Sequence, residues 1–418
     1  MNNHLKINKL LSVALAFIMV LSVCTAFSFA VSAYSETNYE DAGYNFLLAQ
    51  YELRDIEYDS LTKENAIDLY DNNNNVVAKM MIVNRDGAID YVVLDFMIDR
   101  VDEFGFDQST FVDKFQDKEK IYYAGTLNYA YYDGGALKDI DGNQIDENAY
   151  FEIMDAFIAY AATLPEQASG YNGFDSWTNI RDNANNLPTS TGCGGTVTNS
   201  SWSYIPGINV SGVNKELNFR SQTTLNNNYN NAFDKSITGT CAAVAVTNMF
   251  IYYEYRGFDN ALLNNSVDDT FDRALTEINW FNWDDSNWWT DTASGLKSMA
   301  SKAGYDYTMN KYGTLDWNDV KNSINADMPI FTYIGVDQTS GDYFAHAVVT
   351  VGYEEFTHEY TTTEEYWLFG WKEKEVEHED VYRYLRVIDG WSTSNNSRYV
   401  DFNGFYTTVK GIAFMLEE

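Results

Sequence analysis

The chain has 418 residues, and 61 acidic side chains against 27 basic ones give it a formal net charge of −34. So negative a surface repels nucleic acid and anionic membranes, which excludes both as partners and leaves solubility in an extracellular medium as the reading of the charge. With 45% hydrophobic and 16% aromatic residues the chain can bury substantial cores and is long enough for two domains, while its three cysteines are too few for a disulfide framework.

Residues 1–33 read as a signal peptide. Lys6 and Lys9 precede an apolar run from Leu10 to Ala33, and Val31-Ser32-Ala33 fits the small-x-small pattern of a cleavage site. The run is long enough to span a bilayer, but no stop-transfer charge follows it. A secreted, extracellular protein with no membrane association after cleavage is therefore expected. Cys24 follows a bulky Val23 and the apolar run continues past it, which argues against a lipid anchor. Export leaves Cys193 and Cys241 as the only cysteines.

Residues 34 to about 165 read as a separate, smaller α+β domain. Asn45 to Tyr58 has helical periodicity, Ala66–Tyr70 and Val76–Val83 form two strands around the polar turn Asn72–Asn75, Tyr91–Asp95 adds a third, and Glu147–Ala162 returns to helical spacing. No histidine occurs between Tyr34 and Gln222 and no nucleophile is offered, so this domain carries no catalytic machinery. From Ala168 to Ser201 the chain is rich in Gly, Asn, Ser and Thr, with Pro188 inside it, which marks a linker open to proteolysis. The domain with its linker spans 34–185. Cys193 sits among turn residues with no apolar helix behind it, and its alternative roles are a rival nucleophile or a disulfide partner of Cys241.

The chemistry concentrates in residues 186–418. Thr238-Gly-Thr-Cys241 turns into a helix with Val244, Ala245, Asn248, Met249, Ile251 and Tyr252 as its buried stripe. A cysteine in that first turn has unpaired N–H groups and the positive end of the dipole beside it, which lowers the thiol pKa. The aromatic run Asn279–Trp289 packs a satellite core or lines a groove. Trp317–Asn325 is a helix capped by Asp316, and Pro329–Gly335 begins a strand. His346 lies in the apolar strand Tyr343–Tyr353 and is the candidate base. Tyr384–Asp389 is a second strand, closed by Gly390 and Trp391. Between them, residues 354–380 carry ten acids against Lys372 and Lys374 and read as a protruding acidic β-hairpin that keeps His346 and Asp389 on neighbouring strands. His358 and His378 belong to this hairpin. They read as solvated residues, because no third ligand accompanies them for a metal. No phosphate-binding glycine loop, metal-binding helix or internal repeat is apparent.

A cysteine at a helix start, the strand His346-Ala-Val-Val-Thr-Val-Gly-Tyr353 and the strand ending Asp389-Gly-Trp391 together resemble a papain-like cysteine peptidase, closest in style to the secreted bacterial streptopain-like and C39-like groups. The resemblance covers about the last half of the chain. It implies a two-lobed papain-like fold, α+β in class, with a helical lobe and an antiparallel sheet lobe over 186–418. It implies hydrolysis of peptide bonds through a thiol acyl-enzyme, with protein or peptide as substrate and no cofactor or metal. Cys241 would be the nucleophile, His346 the base and acid, Asp389 the orienting group, where many members carry Asn, and Trp391 a shield over that pair. Gln222 would supply an oxyanion donor, although it lies farther from the cysteine than papain spacing allows and Asn226–Asn228 and Asn230–Asn231 are rival amides. By the same resemblance residues 34–185 would be a prodomain acting in cis and the protein a zymogen; an ordinary accessory domain is the alternative. Two other functions remain open: an inactive extracellular binding module on this fold, or an amidase or transpeptidase acting on cell-wall peptide.

Overall fold

The computed structural model describes residues 36–98, 100–161, 196–205, 219–233, 240–278, 288–335, 345–367, 371–391, 398–402 and 409–417. The expected signal peptide, Cys193 with most of its linker, nearly all of the aromatic run after Asn279, and residues 368–370 within the expected acidic hairpin lie outside them.

Helix α1 (Glu36–Leu53) is followed by strands β1 (Leu61–Lys63), β2 (Ile67–Tyr70), β3 (Val76–Arg85), β4 (Ala88–Asp95) and β5 (Arg100–Gly105). Then come the single turn α2 (Ser109–Val112), β6 (Ile121–Tyr123), β7 (Tyr129–Asp133), β8 (Ala136–Asp139) and α3 (Glu147–Ala161). The strands and α3 fall where period-two and helical spacing put them. Helix α1 does not: it starts ahead of Asn45 and stops at Leu53 rather than Tyr58. Asp55 there takes a φ of 52°, in the left-handed region that a right-handed helix cannot continue through.

The second half opens with β9 (Thr196–Ile205), α4 (Gln222–Phe233), α5 (Cys241–Tyr255), α6 (Val267–Glu277) and α7 (Trp288–Ala303). It continues with β10 (Asp306–Tyr312), α8 (Trp317–Asn325), β11 (Ile330–Gly335), β12 (Ala345–Trp367), β13 (Trp371–Ile388), β14 (Arg398–Asp401) and β15 (Val409–Glu417). Helix α8 carries the Asp316 cap that its sequence announces, as a full capping box with Asp319. One stretch departs from the sequence reading: residues 196–201, expected as linker, belong to β9, which pairs with β12. The asparagine-rich stretch after Gln222 is helical: Ser221 Oγ accepts the N–H of Thr224, and Leu225 and Tyr229 are buried on one side.

The strands form one mostly antiparallel sheet in the order β10-β15-β11-β12-β13-β14-β5-β4-β3-β2-β6-β7-β8, with β1 on β3 and β9 on β12. Among the described residues only β2 and β6 pair in parallel. The fold is therefore mixed α+β, with eight α-helices among the described residues. The acidic insertion is no separate hairpin but the outward continuation of β12 and β13, which stay in register from Val349 opposite Ile388 to Trp367 opposite Trp371, with one bulge at Thr350–Gly352. Among the described residues no helix is long and apolar enough to cross a membrane.

The segment expected to be a separate domain shares both sheet and core with the rest. Strand β14 pairs with β5, and one continuous core contains Phe111, Tyr123 and Tyr129 together with Val244, Val348, Val387 and Val400. Across the seam Tyr399 stacks on Phe104 at 4.6 Å, Arg54 pairs with Glu354, and Arg100 pairs with Asp401 at 3.1 Å. Helix α5 is correspondingly buried on all sides from Ala242 to Tyr253, between strands β11 and β12 and helices α4 and α6, rather than along one stripe.

Two buried acids sit close to this seam. Asp102 accepts hydrogen bonds from Tyr123 and Thr126, and Asp95 accepts the backbone N–H groups of Met97 and Ile98. Burial raises both, Asp95 to about 7 and Asp102 well above its ordinary range, each aided by a neighbouring carboxylate. A carboxyl raised on folding contributes its full stability below the unfolded range, near pH 4, and loses it as pH rises through about 7. Thermal melts should therefore fall as pH climbs through that window. Asp102→Asn should melt a few degrees higher than wild type above neutrality and converge with it in acid. Parallel melting curves for the two proteins across the window would show that the buried acids do not titrate as described.

Candidate active site

Cys241 is the first residue of α5, and its position is braced from several directions. The preceding Thr240 is buried and donates from Oγ1 to Asn226 Oδ1 at 2.6 Å, tying the helix start to α4. One turn into α5, Val244 lies beside Gly390, whose φ of 76° favours glycine and where a Cβ would come within 3.1 Å of the Val244 side chain. Asn248, also on α5, accepts the N–H of Arg220 at 2.9 Å and donates to the carbonyl of Arg220 at 3.1 Å, so the chain entering α4 is fixed to the cysteine helix. Gln222, two residues on, is buried and donates its own N–H to the carbonyl of Gly390 at 2.7 Å. Thus Cys241, Gln222 and the Asp389–Trp391 turn are connected through backbone and packing, although they lie far apart in sequence.

His346, on β12, is brought to the same place by the register of the sheet. Its Nε2 is 2.9 Å from the carbonyl oxygen of Asp389, and its ring stacks on Trp391 with centroids 4.2 Å apart. A carbonyl only accepts, so Nε2 carries the proton and Nδ1 is left with the lone pair, which is the tautomer a base requires. The contact to Asp389 is thus made by its main chain. The carboxylate points elsewhere: Oδ1 accepts the N–H of Trp391 at 2.8 Å and Oδ2 lies 2.5 Å from Nε of Arg398. The sulfur of Cys241 is approached by the backbone N–H of Ala347, the residue after His346, and by that of Ala242.

Electrostatically the intact site is at rest. Burial pushes the Cys241 thiol up to about 11 against the two N–H groups, and the carboxylates of Asp141 and Asp139 push in the same direction. This corrects the expectation that the helix start would lower the thiol. A dipole contributes roughly 0.3–1 kcal/mol, whereas a rise from 9.0 to about 11 corresponds to about 3 kcal/mol. Desolvation wins. Burial likewise lowers His346 to about 4, against the raising influence of Asp389 and Asp141. At neutral pH both the thiol and the imidazole are therefore neutral.

Asp141 comes from the tight loop after β8. Its carboxylate accepts from Nε2 of Gln222 at 2.9 Å and pairs with Lys114 at 2.6 Å. The loop is closed on itself: Asp139 accepts the N–H groups of Asp141 and Asn143 at 2.9 Å each and the Asn143 amide at 2.9 Å. The side chain in question therefore comes from the half of the chain that holds none of the candidate catalytic groups.

The structure thus gathers Cys241, His346, Asp389, Gln222 and Trp391, and leaves the backbone positions of His358 and His378 out on the acidic ribbon, where β12 and β13 are paired. Cys241 is a free thiol. Sequence reasoning missed Asp141, Lys114, Phe111 and Arg398. The one signal available was Asp139-x-Asp-Gly-Asn143, a turn pattern with an extra acid in it. No protein-family model and no curated protein matches this chain.

A neutral pair has a reactivity that can be read directly. Alkylation of Cys241 by iodoacetamide in the full chain should be slow at pH 7 and should still be rising toward a midpoint near pH 11, because burial holds the thiol neutral up to that range. A plateau already reached between roughly pH 5 and 8 would mean a preformed thiolate–imidazolium pair instead.

Proposed function

We propose that this protein is a secreted cysteine peptidase of papain-like design, made as a zymogen, with Cys241 as nucleophile, His346 as base and acid, and residues 34–185 as its restraint. The observation that carries this reading is a set imidazole one residue from a group on the thiol: Nε2–H of His346 is held on the Asp389 carbonyl under Trp391, while the backbone N–H of the next residue, Ala347, is directed at the Cys241 sulfur.

The chemistry follows from those positions. Nδ1 of His346 takes the thiol proton, and the thiolate attacks the carbonyl carbon of a peptide bond. The resulting oxyanion finds Nε2–H of Gln222 and the backbone N–H of Cys241, which has no partner within the helix because it opens α5. The imidazolium then gives its proton to the departing amine, leaving a thioester. Water, deprotonated by the same imidazole, releases the acid and restores the thiol. Trp391 keeps bulk water off the His346–Asp389 hydrogen bond, which in a drier setting orients the ring more firmly.

Asp141 supports the restraint. A carboxylate on the Gln222 amide occupies the donor that an oxyanion would need, and its charge disfavours the thiolate. One side chain blocks both binding and activation, and the Asp139 turn keeps it from being drawn into the site as a substrate would be.

Mutations separate these roles. Cys241→Ala and His346→Ala should leave folded proteins without hydrolysis of casein, and Cys193→Ala should stay active. Asp141→Asn removes the charge but keeps an acceptor for Gln222, so thiol alkylation should quicken by about tenfold with little gain in hydrolysis. Asp141→Ala should raise both. An active Cys241→Ala protein, or equal casein hydrolysis by wild type, Asp141→Asn and Asp141→Ala, would sink the corresponding assignment.

A further inference from the structure

Arg398 is fully buried, at 1% exposure, and is the largest side chain so enclosed among the described residues. An arginine is almost never placed there without a specific partner, since desolvating a guanidinium is expensive. Its surroundings are shared between two parts of the protein. On one side Nε lies 2.5 Å from Asp389 Oδ2 and Cζ lies 4.9 Å from the centroid of Trp391. On the other, Cζ lies 3.8 Å over the ring of Phe111 and Nη1 is 3.9 Å from Glu103. The pair with Asp389 is close without an aligned N–H···O, so charge and packing hold it rather than a directional hydrogen bond. Phe111 itself lies parallel to Trp391 at 6.2 Å, and Trp391 in turn covers His346.

We propose that Arg398 is a positioning residue for the hydrolysis argued above, acting through Asp389 to aim the Asp389 carbonyl at His346 and to hold Trp391 over the imidazole. The argument is geometric, and it rests on the peptidase reading only for its catalytic consequence. Both oxygens of the Asp389 carboxylate face away from His346, toward the Trp391 N–H and toward Arg398. What reaches the imidazole is the carbonyl, whose direction depends on the torsion of a three-residue turn. Two anchors fix that turn. The carbonyl of Gly390 accepts the Gln222 N–H, and the carboxylate of Asp389 is clamped by the guanidinium. Without Arg398 the carboxylate is a buried anion with no cation against it, and its simplest relief is rotation toward the imidazole or toward water. Either motion turns the carbonyl away. Around His346 the charged groups are Asp389 and Asp141, which favour the imidazolium, and Arg398, which opposes it.

The test uses the exported chain, residues 34–418, as wild type, Arg398→Lys, Arg398→Gln, and the double variant Arg398→Met with Asp389→Asn, which leaves neither partner charged if the single change does not fold. With histidine labelled by nitrogen-15, the Nε2–H of His346 should give a slowly exchanging imidazole resonance, assigned by its loss in His346→Ala. In Arg398→Gln that resonance should disappear into solvent exchange and His346 should protonate at a higher pH, because a neighbouring cation is gone while Asp389 and Asp141 remain. The residual kcat on casein should fall by about tenfold or more with KM little changed, and Arg398→Lys should recover part of both effects. The double variant should lose the resonance as well. Folded Arg398→Gln or double-variant protein that keeps the resonance, with kcat as in wild type, would overturn the proposal. Wild-type chain that shows the resonance but hydrolyses no peptide even with Asp141→Ala would instead remove the peptidase reading and leave the positioning role standing.

Discussion

The turn Asp389-Gly390-Trp391 is the constraint on which the rest of the site depends. It closes β13, and each of its residues is engaged by a different element: the Asp389 carbonyl by His346 on β12, the Gly390 carbonyl by Gln222 at the start of α4, the Trp391 ring by His346 and Phe111, and the Asp389 carboxylate by Arg398 on β14. Gly390 is what makes the geometry possible, since any side chain there would meet both a positive φ and Val244 of the cysteine helix. A single loop thereby fixes the imidazole, the amide and the helix that carries the thiol. Sites supported in this way tolerate little change, because moving one anchor moves three contacts.

The competition between burial and local dipoles decides the state of the thiol. The same helix start that favours a thiolate in water lies here in a low-dielectric setting with Asp141 and Asp139 nearby, and the neutral form prevails. Lys114 offsets the charge of Asp141 and so lets a carboxylate remain beside the Gln222 amide. Displacing the Asp141 loop would admit water and remove the opposing charge at once, so the loop is coupled to reactivity by electrostatics as well as by obstruction.

The N-terminal half of the chain uses one turn design twice, for different ends. Asp71 accepts the N–H groups of Asn73 and Asn75 at 2.8 Å each and the Asn75 amide, and Asp139 makes the same three bonds within its own loop. The first simply joins β2 to β3. The second differs by carrying an acid two residues past the aspartate and by lying against the site, so position in the sheet, not turn chemistry, gives it its consequence. The seam between β5 and β14 has the same character. Phe104, Tyr399 and Arg54 make it an apolar and ionic join of ordinary kind, yet it delivers Phe111 and Glu103 to the far side of Arg398.

By itself the sequence determined the local elements and the chemistry they could carry. The cysteine at the head of an apolar helix, the histidine in a buried strand, the capped helix at Asp316 and the Asp-Gly-Trp strand end are all written in short-range pattern, because helical and strand periodicity and capping act over a few residues. The long acidic insertion left His346 and Asp389 on neighbouring strands for the same reason, since an antiparallel ribbon returns the chain to its starting register. Only the tertiary structure decided the rest. Asp141 meets Gln222 across 81 residues, and Arg398 takes its second face from a strand near the other end of the chain. Which atom of Asp389 faces the imidazole was likewise open, because a residue name specifies a side chain but not the direction of a carbonyl. Contacts at such separation leave no periodic trace, and a buried charge or a raised pKa exists only once the surrounding chain has excluded water.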